Sequence, residues 1–161
     1  MAKSVLITGC SEGGLGTSMA KVFRQKGFHV FATLCNLAKA GELADLDNVE
    51  LLDLDVSSCE SIQLCAQAVE KRTGGTLDVL ANNAAADFVM PMLDVSIDEA
   101  KKLYDTNFWG MLQTVQVFAP MLIKAKDVIC NIISTARFLP IAWNCKRLSS
   151  FPCLDHGFRH H

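Results

Sequence analysis

A glycine-rich segment near the N-terminus carries the first residues whose types and spacing suit a chemical task. It reads Thr8-Gly9-Cys10-Ser11-Glu12-Gly13-Gly14-Leu15-Gly16 and directly follows the apolar run Ser4–Ile7. A turn of this kind between a strand and a helix lets backbone N–H groups approach a phosphate, and the helix N-terminus adds partial positive charge. Glycine is needed because a Cβ would block the tight turn or the approach of the pyrophosphate. The segment therefore predicts a dinucleotide site formed by Thr8, Gly9, Cys10, Ser11, Gly13, Gly14, Leu15 and Gly16.

Polar residues further along the chain stand where a dinucleotide and a reacting group would need them. Asp55 follows the third apolar run, where its carboxylate can accept a hydrogen bond from an adenine amino group. Asn82-Asn83-Ala84 end the fourth run and Ser134 follows the fifth, at the carboxyl edge where parallel sheets bind ligands. Asn107 lies in a helical stretch between them. A glycine turn alone can be a mere corner between strand and helix, but these residues behind it favour a dinucleotide site.

The elements that must position these residues alternate between strands and helices. Strands are predicted at residues 5–8, 28–33, 49–54, 77–81 and 128–133, and helices at residues 15–26, 37–46, 58–73, 97–104 and 107–124. Ser57 or Ser58 is the predicted N-cap of the third helix. Apolar helix faces are predicted at Leu15, Met19, Val22 and Phe23, and at Ile62, Cys65, Ala66 and Val69. Strands separated by such helices form right-handed parallel crossovers, so the predicted fold class is α/β, a Rossmann-type doubly wound parallel sheet of order 3-2-1-4-5.

Composition and charge exclude several classes of function. Half of the 161 residues are apolar, a fifth are charged and the net charge is −2, which leaves no basic surface for nucleic acid. No apolar run approaches the roughly 20 residues of a membrane helix, so we expect no transmembrane segment, and we expect no signal peptide. The seven cysteines are odd in number and scattered through apolar segments. They indicate reduced thiols in a cytoplasmic protein rather than a disulfide framework.

These landmarks, in this order, resemble those of the short-chain dehydrogenase/reductase family over about residues 4–144. Within it, the sequence is similar to the fungal NADPH-dependent 1-acyldihydroxyacetone-phosphate reductases. The glycine turn is one residue longer than the commoner Thr-Gly-x-x-x-Gly-x-Gly, and three more passages are similar: Val30-Phe31-Ala32-Thr33, Pro91-Met92-Leu93-Asp94-Val95 and Phe118-Ala119-Pro120-Met121-Leu122-Ile123. The resemblance implies an NADP(H)-dependent oxidoreductase that reduces a carbonyl such as 1-acyldihydroxyacetone phosphate or a related lipid ketone.

The resemblance also assigns catalytic roles. It implies that Ser134 hydrogen-bonds the substrate oxygen and that Asn107 positions a water in a proton relay. A Tyr that donates the proton, with a Lys four residues later, would stand about 13 residues beyond Ser134, in the same crevice. That position is Arg147, and the only tyrosine is Tyr104, which precedes the fifth strand and suits packing. A non-catalytic nucleotide-binding or interaction protein is therefore the alternative, in which Ser134 is an ordinary strand-end hydroxyl and Asn107 a helix cap.

Cofactor preference is expected at the end of the second strand. An NAD enzyme usually has an acid there, whose charge repels a 2′-phosphate. Residues 32–36 contain no acid and place Thr33 beside the cofactor, which favours NADP(H) over NAD(H). The related reductases typically carry Arg where Cys35 stands. Lys39 and Arg24 are the substitutes that the sequence offers, if they point inward.

The final residues break the pattern. Residues 145–161 show neither a helix nor a strand period, so residues 1–144 are the predicted domain, truncated after the fifth strand, and the rest an aberrant tail. A frameshift, retained intron or alternative splice near Asn144 explains this change, and another reading frame should then encode Tyr-x-x-x-Lys. Cys153, His156 and His160 have a spacing that suits zinc, but a stray tail explains them better and no metal site is predicted.

The helix at residues 107–124 bears on the expected partners. Apolar residues occupy most of its circumference and leave a narrow polar strip at Gln113 and Gln116, so it should be buried on more than one side. The fifth strand would be an uncovered apolar edge. We therefore expect the isolated chain to aggregate or to need a partner, with homo- or hetero-oligomers formed through this helix. A small-molecule carbonyl or lipid is the expected substrate, and the resemblance adds the endoplasmic reticulum or lipid-droplet surface to the cytoplasm as a location.

Overall fold

A computed structural model of the protein describes residues 2–87 and 93–134. Five parallel strands form one sheet of order β3-β2-β1-β4-β5. They are β1 (Ser4–Ile7), β2 (His29–Leu34), β3 (Val49–Asp53), β4 (Val79–Asn82) and β5 (Val128–Asn131). The predicted fold class and strand order are confirmed. In register, Val5 of the central strand stands beside Val30 on one side and Val79 on the other, and Asn82 stands beside Asn131.

The helices follow the prediction with two differences. They are α1 (Leu15–Gln25), α2 (Cys59–Thr73), α3 (Ile97–Tyr104) and α4 (Met111–Ala125). The helix predicted at residues 37–46 is instead two 3₁₀ helices, Leu37–Lys39 and Gly41–Asp45, because Gly41 adopts a left-handed φ of 52° that an α-helix cannot contain. A π-helical turn, Asp105–Gly110, joins α3 to α4.

Two hydrophobic cores lie on opposite faces of the sheet. Leu6, Phe31, Ile62, Leu80 and Phe118 are among the buried residues of one core, where α2 and α4 pack on the sheet. The predicted face of α2, made of Ile62, Cys65, Ala66 and Val69, is buried as expected, and Ser58 is the cap, since its side chain accepts from the Ser61 N–H. Val5, Ile7, Val30 and Ala32 are among the buried residues of the second core, which α1 covers.

The predicted face of α1 is partly wrong. Leu15 and Val22 are about half exposed, whereas Gly16, Thr17 and Ala20 are buried. Small residues let the helix approach the sheet closely, so the packed face is centred on them, and the larger Met19 and Phe23 pack at its margin. The apolar period identified the helix correctly and misplaced its buried face.

The α4–β5 side of the molecule keeps apolar side chains at its surface. Thr114, Phe118, Met121 and Leu122 of α4 are buried. Ile123 is exposed, as are Val128 of β5 and Ile133 after it.

Several residues of interest in the sequence lie outside the described residues. They are Pro91, Met92, Trp143, Arg147, and the tail at residues 145–161 with its candidate zinc ligands.

Candidate functional site

The glycine turn between β1 and α1 is shaped by two close backbone approaches and one left-handed glycine. A Cβ on Gly16 would lie 2.4 Å from the Gly9 carbonyl oxygen, and one on Gly9 would lie 2.8 Å from the Cα of Ala84. Gly13 has open space around it but a φ of 75°, which disfavours any side chain. The turn therefore has the narrow shape that lets a phosphate reach its backbone.

The N-terminus of α1 supplies the charge complement of a phosphate. Gly14 is the N-cap, no side chain of the described residues caps the helix, and its first turn contains no acid. The leading N–H groups and the helix dipole are thus available to an anion. This arrangement fits the pyrophosphate of a dinucleotide.

The end of β4 is fastened to the glycine turn by side chain–backbone bonds. The Thr8 hydroxyl oxygen accepts from the N–H groups of Asn83 and Ala84, both at 2.9 Å. The Asn83 amide nitrogen donates to the carbonyls of Thr8 at 2.8 Å and Gly9 at 2.9 Å. Thr8 and Asn83 thus support the crevice by holding its two walls together, and their side chains are already engaged within the protein.

Cys10 and Thr33 lie at the base of the glycine turn. Both are fully buried. The Cys10 N–H donates to the Thr33 carbonyl at 2.9 Å, and the Thr33 hydroxyl donates to the Ile7 carbonyl at 3.1 Å. Burial raises the pKa of the Cys10 thiol to about 12, so this thiol stays neutral at physiological pH. Their side chains pack the base of the turn.

Asp55 follows β3 at the carboxyl edge of the sheet and is exposed. One of its carboxylate oxygens accepts from the Ser57 N–H at 2.9 Å and from the Ser57 hydroxyl at 2.7 Å. This Asx-type turn orients the carboxyl group through one of its two oxygens, and the other oxygen can accept a further hydrogen bond.

Asn107 and Ser134 belong to the opposite end of the same edge. Asn107 lies in the π-helical turn, and its side-chain amide pairs with both backbone groups of Ala86. The Ala86 N–H donates to the Asn107 amide oxygen at 2.8 Å, and the Asn107 amide nitrogen donates to the Ala86 carbonyl at 2.9 Å. Ser134 comes three residues after Asn131, whose amide oxygen accepts from the Asn82 amide at 2.8 Å. The structure therefore brings Asn107 against the segment after β4, and Ser134 beyond the paired ends of β4 and β5.

Two residues of this end escaped sequence reasoning. Asn131 joins the two strand ends, and only its place opposite Asn82 in the sheet reveals it. Gly110 packs against the segment after Asp55, since a Cβ there would lie 2.5 Å from the Val56 carbonyl oxygen. A glycine in an otherwise apolar helical stretch was the available signal.

The basic residues near the end of β2 differ in what holds them. Arg24 donates to both the carbonyl and the carboxylate of Asp47 and lowers the pKa of that carboxyl group. Lys39 forms no ion pair with any residue of the described ranges, and its backbone carbonyl accepts from the Glu12 N–H of the glycine turn at 2.8 Å. Of the two substitutes that the sequence offers for the missing Arg, the structure leaves Lys39 beside the turn and engages Arg24 elsewhere.

Neither a membrane span nor a metal cluster is found in the part of the chain that the structure describes. No helix there is long and apolar enough to cross a bilayer. No three His, Cys, Asp or Glu side chains of residues 2–87 and 93–134 gather as a metal site would require.

Comparison with known proteins gives a consistent result. The family described as "short chain dehydrogenase" matches residues 3–146. The short-chain dehydrogenase cctT of Talaromyces islandicus is 55% identical over 143 residues, which cover 89% of this chain and 50% of that protein. The NADPH-dependent 1-acyldihydroxyacetone phosphate reductase of Schizosaccharomyces pombe is 40% identical over 148 residues, covering 88% and 48%. The chain thus spans about half the length of the curated relatives it matches.

Solved structures agree on the fold. "ElxO with NADP Bound" is 26% identical, with a TM-score of 0.79, and the match covers 89% of this chain and 60% of that one. The short-chain dehydrogenase/reductase YIR035C of Saccharomyces cerevisiae, at 24% identity, has a TM-score of 0.85 with coverage of 92% and 60%.

Proposed function

The chain belongs to the short-chain dehydrogenase family, and we propose that its residues bind a nicotinamide dinucleotide at the α1 end of the crevice. One observation carries this proposal: an uncapped helix N-terminus adjoins a turn in which Gly9 and Gly16 leave no room for a Cβ. Backbone groups from Ser11 to Gly16 would hold the pyrophosphate, and Asp55 would receive the adenine. Thr8, Asn83 and Ala84 would keep the crevice open at the right width.

We assign NADP(H) as the preferred dinucleotide. Residues 32–36 contain no acid that would repel a 2′-phosphate. Lys39, anchored beside the glycine turn and without an ion pair in the described residues, is the cation that would face this phosphate. The related reductase of Schizosaccharomyces pombe is NADPH-dependent and the similar ElxO structure has NADP bound, which supports the same preference.

Titration with both dinucleotides tests the assignment. Quenching of Trp109, which is half exposed two residues after Asn107, reports binding. We expect NADPH to bind more tightly than NADH, and Lys39→Ala to weaken NADPH binding about tenfold while NADH binding stays unchanged. Lys71→Ala, an exposed lysine in the last turn of α2, is the matched control. Tighter binding of NADH would contradict the NADP(H) assignment.

For the reaction we propose reduction of a carbonyl, such as 1-acyldihydroxyacetone phosphate or a related lipid ketone. The bound cofactor would supply the hydride. Ser134 would hydrogen-bond the substrate oxygen, and Asn107, held by Ala86, would position a water of the proton relay. A soluble carbonyl substrate would place this activity in the cytoplasm, and a lipid ketone would place it at the endoplasmic reticulum or lipid-droplet surface. Cell fractionation distinguishes these two locations.

A second function is favoured by one specific observation. The only tyrosine of the 161 residues, Tyr104, ends α3 and lies before β5. No tyrosine therefore follows Ser134 in these residues to act as the proton donor. An unassisted water is a poor substitute for a tuned tyrosine as proton donor. The alternative is a non-catalytic protein that binds the nucleotide and interacts with a partner. Turnover of NADPH with a panel of carbonyls separates the two, because oxidation above the rate without protein supports the reductase and binding without turnover supports the alternative.

A further inference from the structure

The extended glycine turn contains two carbonyl groups that need a partner. Four residues, Cys10 to Gly13, separate Gly9 from Gly14. The side chain of Thr17 lies within hydrogen-bond distance of two carbonyl oxygens of this turn, at 3.0 Å from that of Cys10 and 2.8 Å from that of Ser11. Thr17 is buried in the first turn of α1. The single hydrogen of this hydroxyl is thus shared between both carbonyl oxygens as a three-centre hydrogen bond.

The Cys10 carbonyl depends on this hydroxyl. Among the residues that the structure describes, no backbone N–H donates to it, whereas the Ser11 carbonyl also accepts from the Gly14 N–H at 3.0 Å. A buried carbonyl without a donor costs free energy and tends to turn toward solvent. In this turn, turning outward would bring a negative oxygen toward the place of the phosphate.

Thr17 differs from the other helical threonines that donate to a carbonyl. Thr73 donates to Val69 and Thr114 to Gly110, in each case to the carbonyl four residues earlier. Such bonds stay local to the helical turn. The Thr17 hydroxyl instead leaves its helix and crosses to the glycine turn, so it acts on the shape of a different segment.

We propose that Thr17 is a positioning residue for the dinucleotide phosphates. Its hydroxyl holds the Cys10 and Ser11 carbonyls inward, and the backbone N–H groups at the start of α1 therefore face the anion without an opposing oxygen. The link to phosphate binding rests on the proposed dinucleotide function. The effect on the turn itself exists in the free protein.

Three variants of the full chain test this role. Thr17→Val keeps the shape of the side chain and removes the hydroxyl, and Thr17→Ser keeps the hydroxyl and removes the methyl group. Thr73→Val removes a hydroxyl that bonds to Val69 and Thr76 at the end of α2, far from the crevice. We expect Thr17→Val to raise the Kd for NADPH about fivefold to tenfold, and the other two variants to stay within about twofold of the unmodified chain.

Amide hydrogen exchange in the free protein gives a second readout. The Glu12 N–H donates to the Lys39 carbonyl, and the Gly14 N–H donates to the Ser11 carbonyl within the turn. The exchange of these two amides therefore reports the shape of the turn. We expect both amides to exchange about tenfold faster in Thr17→Val, and to keep their rates in Thr17→Ser and Thr73→Val.

The outcomes separate this inference from the proposed function. Unchanged affinity and exchange in Thr17→Val overturn the role of Thr17, and so does a Thr17→Ser variant as impaired as Thr17→Val, because the methyl group would then be responsible. If the unmodified chain binds neither NADPH nor NADH, the dinucleotide function fails. The exchange rates then decide alone whether Thr17 shapes the turn.

Discussion

The two ends of the carboxyl edge are built differently. At the nucleotide end, the side chains of Thr8 and Asn83 and the backbone N–H of Glu12 form hydrogen bonds that join segments distant in sequence, and Thr8 is fully buried. At the other end, Asn107 and Asn131 each hold one neighbouring segment, while Ile133, just after β5, remains more than half exposed. The first end is fastened by bonds within the described residues, and the second presents apolar surface that these residues do not cover.

This difference matters because binding a dinucleotide and catalysing its reaction have different structural requirements. A dinucleotide cradle that is fixed by its own backbone bonds needs little further reorganisation to receive an anion. A site for hydride and proton transfer needs several groups held at once within narrow distances. We therefore expect changes at the nucleotide end to have large and specific effects, and changes near β5 to act mainly on association.

The largest expected effect comes from Gly16. In Gly16→Ala, the new Cβ would stand 2.4 Å from the Gly9 carbonyl oxygen, a backbone atom that cannot yield without deforming the turn. We expect a loss of about 3 kcal/mol in the free energy of unfolding and at least about a 100-fold loss of NADPH affinity. Urea unfolding and fluorescence titration measure the two quantities.

Gly27→Ala is the control for that change. Gly27 has a φ of 82° with nothing within 4 Å of a Cβ, so the variant carries backbone strain and no steric overlap. It should lose about 1 kcal/mol and keep its NADPH affinity. Equal losses of affinity in both variants would show that the turn is not a distinct binding element.

Asn83 should give the next largest effect. Asn83→Ala removes two hydrogen bonds between the end of β4 and the glycine turn and leaves the Thr8 and Gly9 carbonyls without this donor. We expect about 2 kcal/mol of destabilisation. Asn36→Ala, which removes an exposed cap of the first 3₁₀ helix, should cost about 0.5 kcal/mol. A loss in Asn83→Ala no greater than in Asn36→Ala would contradict the idea that this end is held by its internal bonds.

The sequence predicted the sheet well because its signals are local. Apolar runs of strand length between amphipathic helices predict parallel crossovers, and the strand order followed. Close packing was harder to predict. Helical periodicity favours Leu15 and Val22 as buried residues, but the space between α1 and the sheet admits only small side chains such as Gly16 and Ala20.

The site shows the same limit. Thr8, Asn83 and Asn107 were predicted to lie at the crevice, and the structure brings them to its edge. A residue type does not reveal whether its amide or hydroxyl faces a ligand or a neighbouring carbonyl, because that depends on tertiary contacts. Thr17 and Asn131 were missed for this reason, since their partners lie in other segments.

The α4–β5 side should govern association. Within residues 2–87 and 93–134 no strand pairs with the outer side of β5, and Ile123 of α4 is 69% exposed. Exposed apolar edges template aggregation, so the isolated chain should aggregate or need a partner. Val128→Lys and Ile123→Lys should reduce light scattering, whereas Leu64→Lys, at an equally exposed position on α2, should not. A monodisperse monomer that melts cooperatively would refute this prediction.

The last predicted effect appears only at alkaline pH and concerns two buried thiols, one in each core. Burial raises the pKa of Cys10 and of Cys65 to about 12, and for Cys65 the charge of Asp53 adds to the effect. In the unfolded chain, thiols titrate near pH 9. Between these values the unfolded chain loses the proton while the folded chain keeps it. The free energy of unfolding should therefore be unaffected below about pH 8 and should fall as the pH rises from 9 toward 12.

The slope approaches about 1.4 kcal/mol per pH unit for each thiol within that range. Urea unfolding at pH 7.5 and pH 10 measures it, and Cys10→Ala and Cys65→Ala should each lose less stability between the two pH values than the unmodified chain does. Measuring the decline within each protein removes the packing cost of the substitution, and comparing the declines between proteins removes the titration of the groups that they share. The same decline in all three proteins would mean that neither buried thiol contributes, and a smaller decline in only one variant would identify which core excludes the thiolate.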